Sequence, residues 1–154
     1  MSEPQVQLPA SGLQAALIVG AACVYIAYPF RNESDARRRR ERDLDEIGAL
    51  SDVVGGQWRI TLANAGLATK EAWAAKSHVA RGVLRCEFVL SRAQLQLLAE
   101  LVSACVREFE DDWLEFTIVA PGGIQRYPAT HADLVELERV LQGALKHPLP
   151  PTGV

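Results

Sequence analysis

Residues 13–30 read LQAALIVGAACVYIAYPF, a run of eighteen positions with no charge and with Gln14 as its one strongly polar side chain. At 1.5 Å per residue such a helix is about 27 Å long, close to the roughly 30 Å hydrocarbon core of a bilayer. Tyr25, Tyr28 and Phe30 gather at its C-terminal end, where aromatic rings favour the headgroup zone, and Pro29 falls where a helix would leave lipid. The stretch therefore predicts a single transmembrane helix over 13–30. A secretory leader fits less well, because residues 1–12 carry no Lys or Arg and the segment before Pro29 is bulky and aromatic. A buried core helix is the remaining alternative, since eighteen uncharged residues stand at the threshold for crossing a membrane.

Within this segment Gly12, Ala16 and Gly20 recur every four residues, and Cys23 and Ala27 continue the face. Small side chains at that spacing let a second helix approach closely, so the stripe is expected to pack against another membrane helix. Arg31, Arg37, Arg38, Arg39, Arg40 and Arg42 follow, and residues 31–42 hold six arginines against three acids. Positive flanks stay on the inner side of a membrane. The expected topology is single-pass, with the N-terminus outside and the C-terminal domain in the cytoplasm or, in a mitochondrion, the matrix. Beside an anionic leaflet each arginine contributes about 1 kcal/mol, which makes lipid headgroups the expected partner of this cluster.

The organisation that results is a tail (1–12), the span (13–30), a basic juxtamembrane helix closed by a hinge at Gly55-Gly56 (31–56), a globular domain (57–147) and a Pro-rich tail (148–154). Within the domain, Trp58, Ile60 and Leu62 alternate with Arg59, Thr61 and Ala63, the pattern of a half-buried strand. Thr69 offers an N-cap to a helix ending before Gly82. Residues 83–90 alternate again, and Ser91 with Gln94 forms a capping box ahead of a helix whose apolar face is Leu95, Leu98, Leu101, Val102, Cys105, Val106 and Phe109. Residues 113–119 and 124–127 form a hairpin about Pro121-Gly122-Gly123, with Pro128 marking an edge strand. Thr130 with Asp133 caps a last helix carrying Leu134, Leu137, Leu141, Ala144 and Leu145.

The expected fold class is α+β: helices covering one face of a mostly antiparallel sheet of four strands, in two layers. From residue 83 onward the order βαββα resembles a ferredoxin-like fold, with the Trp58 strand standing in for the missing last one. Such folds host unrelated functions.

Composition narrows the chemistry. The chain is 49% hydrophobic and 23% charged, with a net charge of −3, and residues 43–154 hold ten bases against fifteen acids. A domain of that sign, without a basic stripe, matches a phosphate backbone poorly, so nucleic acid is not an expected partner. Cys23, Cys86 and Cys105 form neither a disulfide framework nor a zinc pattern. His78, His131 and His147 are not spaced to ligate one metal on a helix face, and Glu108, Glu110, Asp111 and Asp112 lack the alternate ligand positions of a calcium loop. No catalytic, cofactor or metal residues are assigned. The expectation is a non-enzymatic, membrane-anchored interaction module, a subunit or assembly factor of a membrane complex, that meets other membrane proteins through its helix and acidic domain. The alternative is a membrane-bound immunity or inhibitor protein binding a toxin or enzyme. Trp113, on the strand face opposite Leu114 and Phe116, is the candidate partner contact.

Overall fold

A computed structural model describes residues 5–27, 33–73, 75, 84–108, 114–120 and 123–147. The order is β1 (Gln5–Ser11), α1 (Gly12–Ala27), α2 (Glu33–Asn64), the first turn of α3 (70–73), β2 (Arg85–Ser91), α4 (Arg92–Glu108), β3 (Leu114–Ala120), β4 (Gly123–Ala129) and α5 (His131–Lys146).

The apolar segment is a core helix. α1 has sixteen residues, about 24 Å of helix, which falls short of a hydrocarbon core. No helix among the described residues is long and apolar enough to cross a membrane. Ala15, Ala16, Leu17, Ile18, Val19, Ala21 and Ala22 are all buried, and α1 touches α2, α4, α5, β1, β2 and β3. A helix enclosed by protein on every side, as residues 15–22 of α1 are, needs no polar face, the same requirement that lipid imposes. The expected transmembrane helix, single-pass topology and membrane location are therefore corrected. With the span gone, the arginine bias no longer orients anything.

β1 is a strand where a tail was expected. It pairs antiparallel with β2 from Gln5↔Ser91 to Ser11↔Arg85, and Val6, Leu8 and Ala10 join Cys86, Phe88 and Leu90 on the buried face. Each strand runs straight into its helix through the same junction. The Ser11 hydroxyl accepts from the Gln14 N–H at 3.1 Å while the Gln14 side-chain Oε1 accepts from the Ser11 N–H at 3.1 Å, and Ser91 with Gln94 repeats this at 3.1 and 3.0 Å. Thr130 with Asp133 makes a third such box at the start of α5. A box of this kind satisfies two otherwise orphaned N–H groups and is worth about 1 kcal/mol. The pairing register is also symmetric, because Leu8 faces Phe88 at the centre and the two residues hold equivalent places three before their capping serines. The β1–α1 and β2–α4 units are thus related by a local two-fold through that pair, and α1 packs on α4 as the symmetry requires.

The strand expected at Trp58 is part of α2. Ile47, Leu50, Val54, Trp58 and Leu62 are buried, a spacing of three and four, whereas Ile60, which alternation would bury, is 62% exposed. Helical period overrides the shorter alternating pattern, and the helix runs through Gly55-Gly56 without a hinge. It stops at a Schellman motif: Gly66 has φ 75°, its N–H donates to the Ala63 carbonyl at 3.1 Å, and the Leu67 N–H donates to the Leu62 carbonyl at 2.7 Å. Leu62 and Leu67 are both buried, the apolar contact that accompanies this cap. α3 starts as expected, with the Thr69 hydroxyl accepting from the Ala72 N–H at 3.1 Å.

A Cβ added at Gly55 or Gly56 would meet no atom within 4 Å outside the helix's own backbone. Gly55→Ala and Gly56→Ala should each stabilise the protein by about 0.5–1 kcal/mol, since alanine removes unfolded-state freedom and fits a helix. Denaturant titration checks this, and destabilisation by both would indicate a hinge after all.

The expected four-stranded, ferredoxin-like sandwich is likewise corrected. Among the described residues β1 pairs with β2 and β3 with β4, as two separate two-stranded ladders. The β3–β4 hairpin runs from Leu114↔Ala129 to Ala120↔Gly123, close to where its turn was read. α4 and α5 also lie where the sequence placed them, with Leu95, Leu98, Leu101, Val102, Cys105, Leu134, Leu137, Leu141 and Leu145 buried.

Candidate functional site

The stripe expected to meet another membrane helix lies inside the molecule. Gly12, Ala16 and Gly20 are buried in α1, and Cys23 and Ala27 fall on its last turns, their side chains outside the described set. Arg37, Arg38, Arg39, Arg40 and Arg42 lie along the N-terminal part of α2, again with side chains outside that set, while Arg31 and Trp113 lie outside the described residues altogether. His131 Nε2 is 3.0 Å from the Val106 carbonyl, tying the start of α5 to the end of α4. His147 is the C-cap of α5, its N–H donating to the Gly143 carbonyl at 2.9 Å. Among the described residues no group of three His, Cys, Asp or Glu side chains comes together. A shallow cleft of about 180 Å³ between α4 and α5 is lined by Gln96, Ala99, Glu100, Ser103, Arg107 and Gln142. It offers amides, one hydroxyl and one charge of each sign, the lining of a solvated groove.

A more specific arrangement lies where α2 meets β2. In an antiparallel ladder alternate residues direct their N–H and C=O groups away from the partner strand. Pro9, which has no N–H to offer, pairs with Glu87, so this pair is one that exchanges no ladder bonds, and Gln7↔Val89 is the next of the same kind. The Val89 N–H and C=O therefore point outward, along the edge of β2. Gln57 meets both: its Oε1 accepts from the Val89 N–H at 2.8 Å, and its Nε2 donates to the Val89 carbonyl at 2.9 Å. One primary amide thus makes the two bonds that a residue of a third strand would make.

One turn further along α2, Thr61 Oγ1 stands 3.0 Å from the Gln57 carbonyl and 3.3 Å from Cys86 Sγ. Burial pushes the Cys86 thiol up from its ordinary value, against a smaller pull down from the Thr61 hydroxyl and with a further push from Glu87. The thiol is protonated at neutral pH. The Thr61 hydroxyl is the donor toward both the Gln57 carbonyl and Cys86 Sγ. This protonated, buried sulfur is a poor nucleophile and anchors α2 against β2.

No protein-family model, curated protein or solved structure matches this chain.

The seam is also where apolar surface is left in water. The large hydrophobic side chains exposed among the described residues are Ile60 at 62%, Val89 at 37% and Val135 at 43%. Val135 stands alone on α5, and a single exposed aliphatic is ordinary. Ile60 lies three residues from Gln57 on the same helix face, half-buried Val53 four residues before it, and Val89 is the residue the amide clamps. The sequence did not single out this cluster. Its signal was the glutamine at 57, a polar residue one position before the buried Trp58, which becomes legible only once α2 is read as helical through that point.

Proposed function

We propose that the chain is a non-enzymatic protein-binding module whose contact surface is the α2–β2 seam. The observation that carries this reading is the pair of exposed aliphatic side chains on either side of the Gln57 clamp, Ile60 three residues along α2 from it and Val89 on the strand edge it holds. Apolar side chains left in water beside a strand edge that one side chain covers are the raw material of an interface core, and the polar residues around them supply a rim. The membrane part of the expected role goes with the corrected helix, and what stays is a docking domain. The excess of acids over bases in residues 43–154 favours a partner of net positive charge, which keeps inhibition of a basic toxin or enzyme as the second reading.

Affinity purification of the full chain from its source cells, in parallel with an Ile60→Asp variant, tests the proposal. Ile60 is exposed, so the aspartate leaves the fold intact, which circular dichroism checks. The expected result is a partner held at fixed stoichiometry by the parent chain and depleted at least tenfold by the variant. Recovery of the same proteins with both, or of none with either, sinks this reading.

A further inference from the structure

We propose, resting on that reading, that β2 is the acceptor for strand addition and that Gln57 occupies the place of the incoming peptide group. The side-chain amide of glutamine has the donor and acceptor of a backbone peptide unit, and on Val89 it reproduces both bonds of a hydrogen-bonded antiparallel pair, at 2.8 and 2.9 Å. The ligand that could replace it at equal hydrogen-bond count is an extended polypeptide segment. Among the described residues no strand pairs with this edge of β2.

The geometry also states what the segment carries. A residue opposite Val89 shares the outer face with the exposed valine, so an apolar β-branched side chain suits it. Its neighbour, opposite Phe88, shares the inner face with that buried ring, so an apolar side chain suits it as well. The next outward position stands opposite Glu87, where Lys or Arg is complementary, and the one after it stands opposite Arg85, where an acid is. Read from its N-terminus the segment is apolar, apolar, basic, any, acidic. Docking swings Gln57 away and turns the two-stranded β1–β2 ladder into a three-stranded one.

The probe is the acetylated and amidated peptide Thr-Val-Ile-Lys-Thr-Glu-Thr, fluorescently labelled and titrated into the full chain, with a second peptide N-methylated at its valine. N-methylation removes the N–H that would meet the Val89 carbonyl and leaves composition unchanged. The expected result is saturable binding of the first peptide, loss of at least tenfold with the second, and affinity tightened about fivefold by Gln57→Ala, because the peptide then displaces no internal bonds. No binding to either protein overturns the proposal, as does binding indifferent to N-methylation. Should Gln57→Ala dimerise in sedimentation experiments and ignore the peptide, the edge serves a second copy and the assignment to a peptide is likewise wrong. The N-methyl comparison uses the parent protein, so it stands even if the variant folds poorly. A partner found in the Ile60→Asp purification together with an inert peptide would leave the binding module in place and remove strand addition alone.

Discussion

Ile18→Asp should abolish cooperative folding at neutral pH. Ile18 is fully buried near the middle of α1, which packs against three helices, α2, α4 and α5, and three strands, β1, β2 and β3. A carboxylate there is cut off from water, and the cost of several kcal/mol is of the order of a small domain's whole stability, about 5–15 kcal/mol. The milder Leu17→Ala grades the same claim: Leu17 is fully buried, and its truncation should cost about 2–5 kcal/mol through lost transfer energy and the cavity left behind. In a lipid-facing helix the leucine would exchange one apolar solvent for another, and the loss would be small. Urea titration followed by circular dichroism separates the two, and a cost below about 1 kcal/mol for Leu17→Ala would refute the core assignment.

Trp58→Ala should be the most costly truncation on α2, at about 3–5 kcal/mol. Trp58 is 1% exposed and meets Trp73 edge to face, with ring centroids 6.2 Å apart and planes at 89°. That pair joins α2 to the first turn of α3, so its loss should also flatten the near-ultraviolet aromatic signal. Trp58 Nε1 has no hydrogen-bond partner among the described residues. Trp58→Phe deletes this costly N–H along with some packing area, and the two changes oppose one another. The phenylalanine variant should therefore sit within about 1.5 kcal/mol of the parent, and a loss as large as that of alanine would mean the indole N–H is bonded after all.

At these two residues the sequence pattern and the structure part, for physical reasons. An all-apolar helix carries the same message whether its surroundings are lipid or protein, so residues 13–30 could be placed only by their length and neighbours. Reading them as a span put residues 1–12 outside the domain and hid β1, although Val6, Leu8 and Ala10 alternate and Ser11 with Gln14 repeats the box read correctly at Ser91 and Gln94. At Trp58 two periods competed over six residues. Trp58, Ile60 and Leu62 fit a strand, Val54, Trp58 and Leu62 fit a helix, and the glycine pair tipped the reading toward a break. Gly66 followed by Leu67 was the better stop signal. β2, α4, the β3–β4 hairpin and α5 were legible because caps, turns and apolar period agree there, each pointing to the same element. The candidate site was not legible at all, since a glutamine that completes a strand edge looks in sequence like any other surface amide, and its meaning comes from the backbone it meets.

The pairing of Gln5–Ser11 with Arg85–Ser91 has a consequence for how the molecule comes into being. β1 has its mate more than seventy residues downstream, so its place in the core cannot be taken until that mate has been made. Closing so large a loop is entropically slow. Throughout that interval the uncharged, apolar α1 segment waits without shelter, and the nascent protein is most in need of a chaperone before residues 85–91 emerge.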